Sequence, residues 1–130
     1  MLPVGTKGKT ETIVTEDMTA LKVGSGEAKV LATPVMAALM EKAAQDSVKP
    51  LIEEGKTTVG TALSIRHVSA TPVGMRVWAE TEVTAVSENG RMITFAVSAY
   101  DEKGLIGEGM HERAIVTLAR FQEKTDAKKI

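Results

Sequence analysis

At 130 residues the chain has the length of a single domain, residues 1–130, with enough material to bury a real core. Its 43% hydrophobic and 25% charged residues are those of a soluble globular protein, and a formal net charge of −1 supplies no field for gathering nucleic acid or an anionic membrane. Aromatics make up only 3%, which excludes base stacking as a main mode of binding.

Cysteine is absent, so disulfides, a thiolate nucleophile and Cys-ligated metal are excluded. The opening MLPVGTKGKT lacks the apolar stretch of a signal peptide, and no apolar run reaches membrane-spanning length. A soluble, cytoplasmic protein is the expectation.

In chain order, the β-branched run TETIVT (10–15) predicts an opening strand, and Glu16-Asp17-Met18 a turn. From Thr19 to Ala32 the pattern is weak and is broken by Gly24-Ser25-Gly26; a connector and a movable lid both fit. Thr33-Pro34 then marks a helix start, with Thr33 as N-cap and Pro34 at the first helical position. The helix is expected to run to about Val48, because Pro50 disfavours the helical region at Lys49.

On the helical wheel Val35, Met36, Leu39, Met40 and Ala43 form one apolar stripe, with Glu41 nearly opposite. A solvated glutamate is one reading. The other is a second, partly covered contact, because the charged arc is only Lys42 and Asp46 while Pro34, Ala37, Ala38, Gln45 and Val48 are uncharged. The second contact is the expectation.

Strands follow. Residues 57–69 alternate so that Thr61, Leu63, Ile65, His67 and Ser69 share one face. His67 on that face is either a core histidine or a proton carrier. Residues 75–86, 91–100 and 105–118 predict three more strands, joined by Ser87-Glu88-Asn89-Gly90 and Asp101-Glu102-Lys103-Gly104 turns into an antiparallel meander. Asn89-Gly90 is expected to supply the positive φ angles, and Gly107 and Gly109 a bulge or a close backbone approach. The tail from Gln122 is rich in charge and is expected to be solvated. The class is therefore α+β, an antiparallel β-sheet wrapped around one long central α-helix.

Three blocks in fixed order carry a family likeness: LATPVMAALMEKA (31–43), VGTALSIRHVSATPVG (59–74) and GEGMHERAIVTLARF (107–121). The segment from Val30 to Phe121 resembles the fluoroacetyl-CoA thioesterases of the hot-dog fold. The resemblance implies a catalytic set of Thr33, Glu41 and His67, with Gly60 and Arg113 at the substrate. It implies an acyl-CoA substrate, no cofactor, no metal and a homodimer whose sheets join edge to edge, with the site at the subunit boundary.

The chemistry of a thioester suits these groups. A carbonyl needs a nucleophile, a manager of protons and donors for the developing oxyanion. His67 titrates in the right range, and Thr33 places a hydroxyl at a helix N-terminus. Thr33 could equally be an N-cap and nothing more. His111, in the Met110-His111-Glu112-Arg113 run, is expected to serve packing or an ion pair, since its spacing from His67 matches no metal motif.

The resemblance departs at Val23–Lys29, which has no aromatic residue where the family carries them ahead of its threonine. That difference points to a general hydrolase of short-chain acyl-CoA rather than one selective for the fluorinated substrate. The rivals are a non-catalytic acyl-CoA-binding module and a hot-dog hydratase, for which the Asp-x-x-x-x-His dyad is lacking.

Overall fold

The computed structural model describes residues 2–129. Five strands, β1 (Lys7–Ile13), β2 (Lys56–His67), β3 (Arg76–Val86), β4 (Met92–Asp101) and β5 (Gly104–Thr117), form one antiparallel sheet in the order β1-β3-β4-β5-β2. The helix α2 (Thr33–Val48) lies across one face. Its fully buried Met36, Met40, Ala43, Ala44 and Val48 pack on Val77, Ala79, Val83, Ile93, Phe95, Val97 and Ala99. Alternate residues of β3 and β4 face this core, the period-2 pattern of a half-buried sheet. Gly107 lets the layers meet, because a Cβ there would lie 2.5 Å from the Met36 sulfur. At Gly109 a Cβ would strike the Ser64 carbonyl, so both glycines mark close approach.

Several local expectations are corrected. The first strand spans Lys7–Ile13 rather than 10–15. The stretch 19–32 is neither loose nor shapeless. It opens with α1 (Ala20–Val23), whose N-cap Thr19 accepts from the Lys22 amide and whose C-cap Gly24 is left-handed. Backbone bonds Ala20 to Val30, Leu21 to Ala28, Leu31 to Thr71 and Ala32 to Met18 tie it down. A free lid is not built this way.

Helix α2 begins one residue earlier than expected: Ala32 is the flanking cap and Thr33 is already helical, so the Thr33 hydroxyl does not cap the helix. Lys49 keeps helical angles (φ −52°, ψ −46°) despite preceding Pro50, and the chain leaves through a 3₁₀ turn at Lys49–Leu51. In the β3–β4 turn only Gly90 has positive φ; the Asn89 side chain instead accepts from Ser87 and the Arg91 amide. The tail is the exposed helix α3 (Leu118–Asp126).

The most consequential difference is in β2. A bulge between Gly60 and Ala62 shifts the register, so Gly60 pairs with Arg113, Leu63 with His111 and His67 with Gly107. Gly60, Leu63, Ile65 and His67 thus share the helix-facing side, while Thr61 turns away to bond Glu112 at 2.6 Å. β2 is also an open edge: it pairs only with β5, and residues 60–64 are exposed. No helix among the described residues is long and apolar enough to cross a membrane.

Candidate active site

Two clusters face the same side of the sheet. The first joins the start of α2 to the end of β2. Thr33 Oγ1 and His67 Nδ1 are 2.8 Å apart. The pairing follows from the two strand and helix ends: Thr33 is the first helical residue, and His67 is the last residue of β2 on the inward face. A cleft of about 330 Å³ opens on the pair, lined by Ala20, Ser25, Leu31, Pro34, Val68 and Ser69. Burial pushes His67 below the ordinary histidine range, while a backbone contact with Ser69 pulls back toward the charged form. A neutral imidazole at neutral pH is a base.

In the tautomer whose Nδ1 accepts the Thr33 hydroxyl proton, the ring hydrogen sits on Nε2. That nitrogen is buried and has no hydrogen-bond partner among the described residues. A buried N–H without an acceptor calls for a carboxylate or carbonyl beside it. In a base-assisted nucleophile this is where the orienting third group sits.

The second cluster holds Glu41, Gly60, His111 and Arg113. A Cβ built on Gly60 would fall 3.0 Å from Glu41 Oε2, 3.3 Å from His111 Cε1 and 3.6 Å from Arg113 Nη1, so the missing side chain is the space these groups share. Arg113 is only 7% exposed. Its Nε donates to Thr58 Oγ1 (2.7 Å), Nη2 to the Thr58 carbonyl (3.0 Å) and to Gln45 Oε1 (3.2 Å), and Nη1 to His111 Nε2 (3.1 Å).

His111 gives its Nδ1–H to the Ala62 carbonyl at 2.8 Å and stacks on Phe95 at 6.0 Å, so both ring nitrogens are taken. Burial lowers its pKa, with Arg113 adding to the fall and Ala62 and Glu41 opposing it. Burial also lowers Arg113, and the Glu41 carboxylate holds it up. The expected ion pair of His111 is not formed, whereas its packing role is. Gln45 and Thr58, which anchor the guanidinium, were not singled out from sequence. The available signal was spacing, since Gln45 lies one turn beyond Glu41 on the same helix face.

The structure therefore brings Thr33 to His67, and Glu41 to Gly60 and Arg113, but it does not bring Glu41 to His67 within one chain. Eight helical residues place Glu41 about 12 Å along the axis from Thr33. Its carboxylate points at Gly60, about 20 Å up β2 from His67. Arg113 is walled in by its own partners and meets the site through Glu41 and His111.

Comparison with known proteins identifies the family. Residues 14–119 match the family model described as fluoroacetyl-CoA-specific thioesterase. The fluoroacetyl-CoA thioesterase of Streptantibioticus cattleyicolor is 39% identical over 100 residues, 77% of this chain and 70% of that protein. A solved structure of the fluoroacetyl-CoA thioesterase FlK superimposes with a TM-score of 0.91 at 34% identity, covering 98% of each chain. A hot-dog-like protein from Thermanaerovibrio acidaminovorans shares the fold (TM-score 0.86, 20% identity, 98% of this chain and 93% of that one). The chain belongs to the fluoroacetyl-CoA-specific thioesterase family and is a thioester hydrolase built on the hot-dog fold.

Proposed function

We propose that the protein hydrolyses short-chain acyl-CoA at a site shared by two subunits, with Thr33 and His67 from one and Glu41 of the partner subunit. The observation that carries this is the 2.8 Å Thr33–His67 contact together with the unpartnered, buried Nε2 of His67. The open edge of β2 supplies the missing carboxylate. Two β2 edges pairing antiparallel about an axis near Leu63–Ser64 set His67 opposite Gly60 of the partner subunit, and hence beside the partner's Glu41. The bulge makes this possible, because it places Gly60 and His67 on one face although they are seven residues apart. Pairing also satisfies an edge whose exposed residues 60–64 otherwise present free backbone groups.

In the first half-reaction Thr33 Oγ bonds to the thioester carbon as its proton passes to His67 Nδ1. The C–S bond then breaks, and the imidazolium returns the proton to the departing CoA sulfur. In the second, His67 takes a proton from water, the hydroxide adds to the acyl-threonine, and Thr33 leaves reprotonated. Glu41 of the partner subunit holds Nε2–H and offsets the imidazolium charge in both steps. The Thr33 amide, which has no backbone partner among the described residues, lies at the helix N-terminus where an oxyanion is favoured.

The 19–32 segment borders the cleft through Ala20 and Ser25 and brings no aromatic ring to it, which supports a broad short-acyl preference over selection of the fluorinated substrate. A cysteine-free chain without a spanning helix suits a reducing, cytoplasmic setting. The test is hydrolysis of acetyl-, propionyl-, butyryl- and fluoroacetyl-CoA followed by free thiol, with mass spectrometry of the quenched enzyme. Turnover, with an acyl adduct on Thr33 that is lost in Thr33→Ala, is expected; turnover undiminished in Thr33→Ala would overturn the assignment.

A further inference from the structure

Glu41 and Arg113 carry opposite charges and border the same small space at Gly60. A Cβ there would lie 3.0 Å from Glu41 Oε2 and 3.6 Å from Arg113 Nη1. The two sense each other: burial lowers the Arg113 pKa and the Glu41 carboxylate opposes the fall. Among the described residues, however, they form no ion pair. A buried guanidinium beside a carboxylate ordinarily closes onto it in a bidentate pair. Something holds these two apart.

The hydrogen bonds of Arg113 show what. A guanidinium has five N–H donors, and four are engaged here. Nε donates to the Thr58 hydroxyl, Nη2 to the Thr58 carbonyl and to Gln45 Oε1, and Nη1 to His111 Nε2. Of these three partner residues, only Gln45 stands on α2, one turn beyond Glu41. Arginine can only donate, so the amide atom that faces it is the oxygen, which also accepts from the Thr58 hydroxyl. The amide nitrogen is thereby turned to Thr57 Oγ1 at 3.2 Å. One amide thus fastens the guanidinium and ties α2 to β2.

We propose that Gln45 is a positioning residue for Glu41: its side-chain carbonyl occupies an Nη2 hydrogen of Arg113 that would otherwise turn to the carboxylate, and so leaves Glu41 free at Gly60. This rests on the reading above that Glu41 takes part in hydrolysis, and it holds whichever subunit's site the carboxylate serves. Without the amide, a buried charged donor lacks one acceptor, which is the costly kind of vacancy. The Glu41 carboxylate, bordering the same space, fills it. A charge-assisted bond closes to about 2.8 Å, so the carboxylate is drawn away from Gly60 and its charge is spent on Arg113.

The experiment is thiol release from acetyl-CoA, with thermal melts, for Gln45→Met, Gln45→Glu, Glu41→Gln and the double variant Gln45→Met/Glu41→Gln. Methionine keeps the unbranched reach of glutamine without its amide. Gln45→Met is expected to lower kcat about tenfold, with KM moved by less than about twofold, because a positioned group is displaced while binding is untouched. Gln45→Glu keeps an acceptor for Nη2 and for the Thr58 hydroxyl, and should recover most of that loss. In the Glu41→Gln background Gln45→Met should add little, since both substitutions remove the same interaction. Gln45→Asn, one carbon shorter, is the second variant should Gln45→Met not fold, with the same expectation. Wild-type kcat in Gln45→Met, with Glu41→Gln impaired, overturns the inference and leaves the hydrolase reading standing. Wild-type kcat in Glu41→Gln removes the carboxylate from the reaction and overturns both. A loss that Gln45→Glu does not recover, or that is equally deep in the Glu41→Gln background, shows Gln45 acting on the fold alone and overturns the inference.

Discussion

Gly60→Ala perturbs the cluster of Glu41, His111 and Arg113 by a single methyl group. The new Cβ would lie 3.0 Å from Glu41 Oε2 and 3.3 Å from His111 Cε1, both inside ordinary van der Waals contact by a few tenths of an ångström or more. His111 cannot retreat, because Ala62 and Arg113 hold its two nitrogens and Phe95 backs its ring. Glu41 makes no hydrogen bond or ion pair among the described residues, so its carboxylate is the group that moves. The shift needed is a few tenths of an ångström, and since a misplacement of about 1 Å costs about 10²-fold, Gly60→Ala is expected to lower kcat roughly 3- to 10-fold while the melting temperature stays within a few degrees of wild type. Thiol release from acetyl-CoA reads the rate cleanly, since the protein has no cysteine of its own. Wild-type kcat would refute the placement of Glu41 in the reaction. A collapsed melting temperature would show that the strain falls on His111 and the sheet instead.

Other outcomes follow from the same geometry. Activity needs neutral His67, so kcat/KM should rise with pH along one limb and be flat above it. Burial in one chain lowers the His67 pKa and the carboxylate of the partner's Glu41 raises it, so Glu41→Gln should move the midpoint to lower pH; a midpoint that the substitution leaves in place removes Glu41 from the imidazole. His111 is likewise held neutral by burial, so the unfolded chain binds more protons below pH 6.5. Stability should be full above that pH and fall as pH drops through the lowered folded value, as read by urea melts across the range. Arg113→Leu leaves Thr58, Gln45 and the His111 nitrogen without their donor, and about 2–4 kcal/mol of stability should be lost in denaturant titrations along with activity. Phe95→Ala, at the centre of the core, should cost about 3–5 kcal/mol.

The helix and the meander were legible in the sequence because each follows one period. The 3.6-residue stripe from Val35 to Ala43 faces the core, and the β3–β5 strands alternate as read. Thr33, Glu41 and His67 were joined into one candidate set by resemblance, not by pattern. The bulge at Gly60/Ala62 was not legible, and it matters because one extra residue flips every earlier side chain to the other face; Thr61 was assigned to the wrong side for that reason. Placing Thr33 inside the helix rather than at its cap is likewise a one-residue distinction that propensity does not resolve, yet it frees the hydroxyl for His67. The 19–32 segment is held by backbone bonds, which leave no trace in side-chain type. Glu41 is half-buried beside Gly60, but Pro34 and Ala38 on its side of the helix are exposed, so its small, uncharged neighbours did not mark a covered face in the single chain, and the burial of Arg113 was not readable either.

The shared site is tested most directly by mixing subunits. Thr33→Ala and Glu41→Gln proteins, each nearly inactive alone, would be denatured together and refolded. If Thr33 and His67 work with Glu41 of the partner subunit, half the dimers are mixed and each has one intact site, so about a quarter of wild-type activity returns. If mixing restores nothing while mixed dimers are demonstrably present, the three residues do not meet across the subunit boundary.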